Sequence, residues 1–287
     1  MMSDYQSMDK LVKKKVILAG KFSNKPTELS TCHIHVQNPQ CSNMTVQQIK
    51  AELRSEIVDE DAHKSITIGN ACSIIDRLIE RAIQRMSLKE QSLVTLMVPL
   101  SSEKKETIVI SVQITLEKAE IYKPIWEWSP QEKHDTAFKC KEKGVELFKA
   151  NLHVDAFYKF SQACKILITL EPIEEEGLIM KNITELKYIL YNNMAECQLI
   201  RKNYEHVLTL CNKVLNKDTN NVKAIYRRGV AYAGLKNFEQ ASNDLKMVIT
   251  LEPKNKLALE KYNIYSEKWR VSVQGYESIV RKMFKVT

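Results

Sequence analysis

A chain of 287 residues has room for two domains, at roughly 100–200 residues each. Apolar residues at 44% allow buried cores, 27% charge is ordinary for a soluble protein, and seven glycines and seven prolines exclude collagen-like and glycine-linker architectures. Forty-three Lys and Arg against 35 Asp and Glu leave a net charge of +8, which hints at an acidic partner. The longest apolar runs fall far short of the ~20 residues a membrane span needs, so no membrane partner is expected. Residues Met1–Lys10 are polar and predict no secretory signal. A cytoplasmic setting follows, with the nucleus left open.

In chain order, Lys10–Lys15 imitates a nuclear-localisation run but reads as a solvated lead-in to a first strand. Strands are predicted from the β-branched alternation of Thr31–Val36, Ser92–Val98 and Thr107–Ile114. Between the first two, Ile74, Ile75, Leu78, Ile79, Ala82, Ile83 and Met86 make one apolar stripe of a helix. Residues 1–130 are thus predicted to be an α+β domain of several strands, antiparallel in arrangement, wrapped on one helix. His33 and His35 share a strand face and would suit a metal pair. No Asp, Glu or Cys is assigned beside them, so they read as an exposed or hydrogen-bonded face and no metal is expected. The Asp59–Asp61 charge run is too short for a Ca²⁺ loop, and the phosphate-binding glycine loops are absent. No cofactor is expected.

The seven cysteines form an odd set without a C-x-x-C pair. Cys140, Cys164, Cys197 and Cys211 lie in helical patterns among apolar neighbours, where a reduced thiol acts as a small hydrophobe. Neither a disulfide framework nor a zinc site is predicted.

After Pro130 the pattern is helical and repeats. Gly229, Tyr232, Ala241, Leu245, Val248 and Pro253 follow Ala195, Gln198, Val207, Cys211, Val214 and Thr219 by 34 residues. Gly144, Leu147, Ala156, Phe160 and Ala163 precede that second set by 51 residues, or 34 plus an insertion of 17. A 34-residue helix–turn–helix unit with small residues where its helices cross is the tetratricopeptide (TPR) pattern. Residues 131–287 therefore divide into repeats at about 137–170, 188–221 and 222–255, then a capping helix at 256–284. The insertion, Leu170–Lys181, reads as a longer loop between the first two repeats.

In a TPR stack the first helix of each repeat lines the concave side. Lys141 lies on the first such helix, Asn193 on the second, and Lys223 and Arg227 on the third. Lys223 and Arg227 share a face through their i,i+4 spacing, and Asn193 and Arg227 hold the same repeat position, which makes them expected neighbours across the groove. Arg supplies a planar fork, Lys a point charge and Asn a directed N–H. Such a set suits a carboxylate-rich peptide end. The basic residues follow repeat positions without interleaved aromatics, so no nucleic-acid partner is expected.

The segments K-E-K-G-x-x-x-F-K at Lys141–Lys149, N-M-A-E-C at Asn193–Cys197 and K-A-I-Y-R-R-G at Lys223–Gly229 resemble the TPR domains of FKBP-type immunophilin co-chaperones. The R-K-M-F ending at Arg281–Phe284 is similar to the FK506-binding protein-like family within that group. The resemblance implies a carboxylate clamp for the acidic C-terminal peptide of heat shock protein 90, made by Lys141, Asn193, Lys223 and Arg227. The fifth clamp position, commonly Asn, is Val145 here. Upstream, K-S-I-T-I-G-N at Lys64–Asn70 and L-K-E-Q-S-L-V-T-L at Leu88–Leu96 are similar to the second half of an FKBP-type prolyl-isomerase domain. Ile125–Trp128 followed by Glu132-Lys133 resembles the family's junction into its TPR helices. An active isomerase of that family has a Trp floor, a Tyr wall, a Phe-Asp pair and a Gly-rich flap. Matched here, the floor is Ile79, the wall is Val36, no Phe-Asp pair lies between Val36 and Ile68, and the flap shrinks to Leu100–Glu106. The expectation is a non-catalytic co-chaperone or adaptor that engages an unidentified client through its first domain. The rival readings are a working prolyl isomerase and a TPR scaffold for a different partner.

Overall fold

Residues 4–99, 107–171 and 177–284 are described by the computed structural model, which divides into two units between Trp128 and Ser129. Among the described residues, no helix is long and apolar enough to cross a membrane.

The alternating runs of the first unit are strands. They are β1 (Tyr5–Gln6), β2 (Val12–Leu18), β3 (Thr31–Cys41), β4 (Asp61–Thr67), β5 (Gln91–Pro99) and β6 (Thr107–Glu120). They form one antiparallel sheet in the order β1-β2-β5-β6-β3-β4. Every second residue of β3, β5 and β6 points inward, including Cys32, Ile34, Val36, Val94, Leu96, Ile110 and Ile114, all fully buried. The sheet meets helix α2 (Ile74–Ile83), whose stripe of Ile75, Ile79, Ala82 and Ile83 is fully buried in the same core. Two of the acids of α2 are buried and used locally. Asp76 accepts hydrogen bonds from the Ser55 hydroxyl at 2.6 Å and the Glu56 N–H at 2.8 Å. Glu80 accepts from the N–H groups of Gly69 and Ala71 at 3.1 and 3.0 Å. Gly69 has φ 93°, a left-handed conformation that favours glycine.

Two expectations for this unit need correction. A second, short helix, α1 (Val46–Glu52), precedes β4. It is started by a reciprocal cap in which Thr45 Oγ1 accepts from Gln48 N at 3.3 Å and Gln48 Oε1 accepts from Thr45 N at 2.8 Å. The Lys10–Lys15 run is part strand rather than solvated lead-in, because Lys14 occupies an inward position of β2 and pairs with the buried carboxylate of Glu90. The charged loop before β4 is anchored, since Asp59 meets Lys50 at 2.7 Å and Lys64 at 3.1 Å. Hydrogen bonds from those two ammonium groups draw the Asp59 carboxyl down to about 2.

The second unit is three helical hairpins and a final helix. They are α3 (Pro130–Lys149) with α4 (His153–Ile168), α5 (Leu178–Ile200) with α6 (Tyr204–Leu215), α7 (Val222–Gly234) with α8 (Phe238–Leu251), and α9 (Lys256–Phe284). The insertion expected to be loop is partly helix. α5 already begins at Leu178 and runs for 23 residues, so the extra chain lengthens the helix; residues 172–176 lie outside the described residues. The final helix covers the last repeat unevenly. Ala258 is fully buried and Tyr265 and Lys268 approach the Phe238 ring, yet Val271, Tyr276, Ile279, Met283 and Phe284 are exposed, so only the first half of α9 covers the last repeat.

Close helix crossings explain the small residues of the repeat. A Cβ added at Gly144 would stand 2.5 Å from Cε1 of the Phe160 ring, which is itself buried. Gly144→Ala is therefore expected to destabilise the TPR unit. The gain of about 1 kcal/mol in helix propensity is outweighed by an overpacking cost of about 1–3 kcal/mol. Urea unfolding checks this, and a variant more stable than wild type would contradict it.

Candidate functional site

The first helices of successive hairpins touch, α3 against α5 and α5 against α7, and this builds the inner side of the stack. Helix α7 starts at Asn221, whose side chain caps it by accepting from Ala224 N at 3.1 Å. Lys223 follows in the first turn and is exposed. Arg227 comes one turn later and is half-buried against α5. Its Nε donates to Glu196, and one terminal nitrogen donates to Asn192 Oδ1 at 3.2 Å. Asn192 donates on to Asn221 Oδ1 at 3.3 Å, and Asn221 to Asp218 Oδ2 at 3.0 Å. A polar chain thus runs from the middle of α7 across α5 and back to the α7 N-terminus.

The neighbouring Arg228 serves a different purpose. It grips Asp244 of α8 with two bonds of 2.8 Å and reaches Asn212 of α6 at 3.0 Å. This bidentate pairing raises the guanidinium pKa further and fastens the second helices of two repeats. Of the two arginines in K-A-I-Y-R-R-G, only Arg227 is turned toward α5.

The four residues singled out from sequence sit on three different first helices, as their repeat positions require. Lys141 on α3 holds its ammonium 3.9 Å from the centre of the Phe138 ring. Asn193 on α5 is half-buried, Lys223 is exposed, and Val145 is half-buried. Among the described residues no hydrogen bond or ion pair joins Lys141, Asn193 and Lys223 to one another or to Arg227. The expected neighbour of Arg227 was Asn193; its hydrogen-bond partners are instead Asn192 and Glu196. Both lie on the α5 face turned to α7, one residue before and three after Asn193. The signal was present, since Asn192 and Glu196 are spaced i,i+4. A cavity of about 860 Å³ adjoins this network, lined by Met180, Thr184, Tyr188, Asn192, Val214 and Asn221.

The buried thiols of this unit are inert packing groups. Burial pushes Cys197 and Cys211 up to about 12, far from the thiolate range that reactivity needs. None of the seven cysteines is joined in a disulfide.

In the first unit, the positions matched to an isomerase floor and wall, Ile79 and Val36, are fully buried in the core between α2 and the sheet. The shortened flap at Leu100–Glu106 lies outside the described residues.

Residues 5–121 match the family model described as the FKBP-like N-terminal domain of Bride of doubletime, and residues 129–209 match that of the Bride of doubletime-like TPR domain. Along the chain, a match to an FKBP-like domain is thus followed by a match to a TPR domain. Protein Bride of doubletime of Drosophila melanogaster is 27% identical over 279 residues, 96% of this chain and 94% of that protein. The human FK506-binding protein-like protein is 32% identical over 173 residues, 60% of this chain but 47% of its own length. This chain therefore spans nearly all of the first relative and about half of the second. A crystal structure of residues 1–211 of CG17282 superimposes with a TM-score of 0.58 at 24% identity, covering 72% of this chain and 98% of that one. That likeness shows a shared fold. The α+β domain followed by a TPR stack is thus the architecture of the chain.

Proposed function

We propose that this FKBP-like TPR protein is a non-catalytic co-chaperone or adaptor. In this reading its TPR groove takes the acidic C-terminal peptide of heat shock protein 90, and its first unit engages a client. The observation that carries the reading is Arg227, a cation turned across the groove onto α5, with Lys223 one turn away on the same helix. Relatives that join FKBP-like and TPR domains support the co-chaperone role. For the first unit, the supporting observation is the complete burial of Val36 and Ile79. An apolar pocket that desolvates a prolyl amide needs open aromatic walls, and aliphatic side chains sunk in a core do not supply them.

The experiment is a titration of an acidic pentapeptide, as the free acid and as the C-terminal amide, into the full chain. The free acid is expected to bind at least tenfold more tightly, and Lys223→Ala/Arg227→Ala is expected to abolish the difference. Equal affinity for acid and amide would refute the clamp and leave a TPR scaffold for an internal segment of another partner. A proline-peptide assay with the same protein is expected to give only the uncatalysed isomerisation rate.

A further inference from the structure

The outer face of the β6-β3-β4 part of the sheet carries a cluster that none of the preceding argument uses. His35 on β3 and His63 on β4 are directly opposed in the antiparallel register. Their rings stack with centroids 4.0 Å apart and planes 9° from parallel. Each ring also meets an acid. His35 Nε2 contacts Asp61 of β4, and His63 Nδ1 lies 3.0 Å from Glu117 Oε2 of β6.

The strands place these groups without help from loops. His35 and His63 form a cross-strand pair, while Asp61 pairs with Gln37, the next outward residue of β3. On the other side of β3 the register jumps, with His33 opposite Lys118 but Ile34 opposite Leu116. Glu117 is the extra residue of this bulge and is left without a cross-strand partner, free to reach over β3 to His63. Bulges commonly re-aim a side chain in this way.

From this geometry we propose that His35, His63 and Glu117 bind a divalent transition-metal ion of the zinc class, with the fourth position left to water and Asp61 orienting the His35 ring. The ligand atoms of the three lie within 4.8 Å of one another. A tetrahedral Zn²⁺ site with bonds of about 2.0–2.2 Å needs its donors about 3.3–3.5 Å apart. Small rotations of partly exposed side chains on a fixed sheet close that gap. Two imidazoles and a carboxylate select Zn²⁺ or Cu²⁺ over Ca²⁺ and Mg²⁺, which prefer all-oxygen shells. The site belongs to the first unit and is independent of the peptide groove.

The test is calorimetric titration of Zn²⁺ into the chelator-treated full chain. Wild type is expected to bind one ion that Ca²⁺ neither mimics nor displaces. His35→Gln/His63→Gln is expected to weaken binding about 100-fold or more, since loss of even an outer-shell partner costs 10–100-fold. Co²⁺ is expected to give the visible absorption of tetrahedral coordination in wild type and to lose it in the double variant. The replaced side chains are partly exposed, so unchanged circular dichroism separates loss of the site from loss of the fold. The less buried thiols of Cys41, Cys72 and Cys140 are the competing ligands. Their replacement by Ser is expected to leave Zn²⁺ affinity unaltered. Undiminished binding by the His variant, or binding abolished by the Cys variant alone, would overturn the proposal.

Discussion

Lys14→Ala is expected to lower the stability of the FKBP-like unit by about 3–5 kcal/mol, the usual cost of stranding one member of a buried ion pair. Lys14 and Glu90 are only 2% and 7% exposed. The ammonium group also donates to the Arg85 carbonyl at 3.1 Å. Glu90 in turn accepts from the Ser92 hydroxyl at 2.7 Å and the Ser87 N–H at 2.9 Å. Removing the lysine leaves those two neutral donors but no cation. The carboxylate must then stay charged in a desolvated site or take up a proton. Lys14→Met/Glu90→Gln removes both charges; the new amide oxygen can still accept from the Ser87 N–H while the new NH2 donates to the Ser92 hydroxyl, so it is expected to recover at least half of the loss. Urea unfolding followed by far-UV circular dichroism measures both. A single variant within about 1 kcal/mol of wild type, or a double variant no better than the single, would show that the pair does not hold β2 to the turn before β5.

The same lysine shows where sequence reasoning stops. Val12, Lys14 and Val16 obey the period of two that marks a strand, so the inward position of Lys14 was present in the pattern. Its residue type argued for solvent, because lysine is almost never buried without a partner, and the partner is 76 residues away. The buried stripes of β3, β5, β6 and α2 were legible because many apolar residues vote together. Helix α1 carries only Ile49 buried, so its signal was the Thr45–Gln48 cap rather than any stripe. The extension of α5 was hidden for another reason. An offset of 17 between repeats counts residues and says nothing of whether they coil or continue a helix. The histidine cluster was half legible: one strand shows His33 and His35 on a face, but Asp61, His63 and Glu117 join it only through pairing of β3 with β4 and β6. In the groove, repeat position named the helices correctly. Which α5 side chain meets Arg227 depends on how α5 is rotated, and Asn192 and Asn193 differ there by about 100° around the helix.

Glu196 is expected to act as an internal competitor for Arg227, so that Glu196→Gln tightens acidic-peptide binding about fivefold while Arg227→Ala weakens it about 10- to 150-fold. The larger figure follows from about 1.5–3 kcal/mol for a charge-assisted hydrogen bond, at about 1.4 kcal/mol per tenfold. The smaller follows from the partial exposure of Glu196, whose side chain is 33% accessible, which limits its pair with Arg227 to about 1 kcal/mol. Before a ligand carboxylate can use the full fork of Arg227, this resident one must share it or let go. The two effects are coupled in a way a general change of surface charge is not. Glu196 works through Arg227, so Glu196→Gln in the Arg227→Ala background is expected to add nothing, and a double-mutant cycle reads the difference directly. A fivefold gain that persisted without the arginine would mean that Glu196 merely repels the acidic peptide. No gain in either background, with Arg227→Ala also silent, would mean that the arginine ties α7 to α5 and binds nothing else.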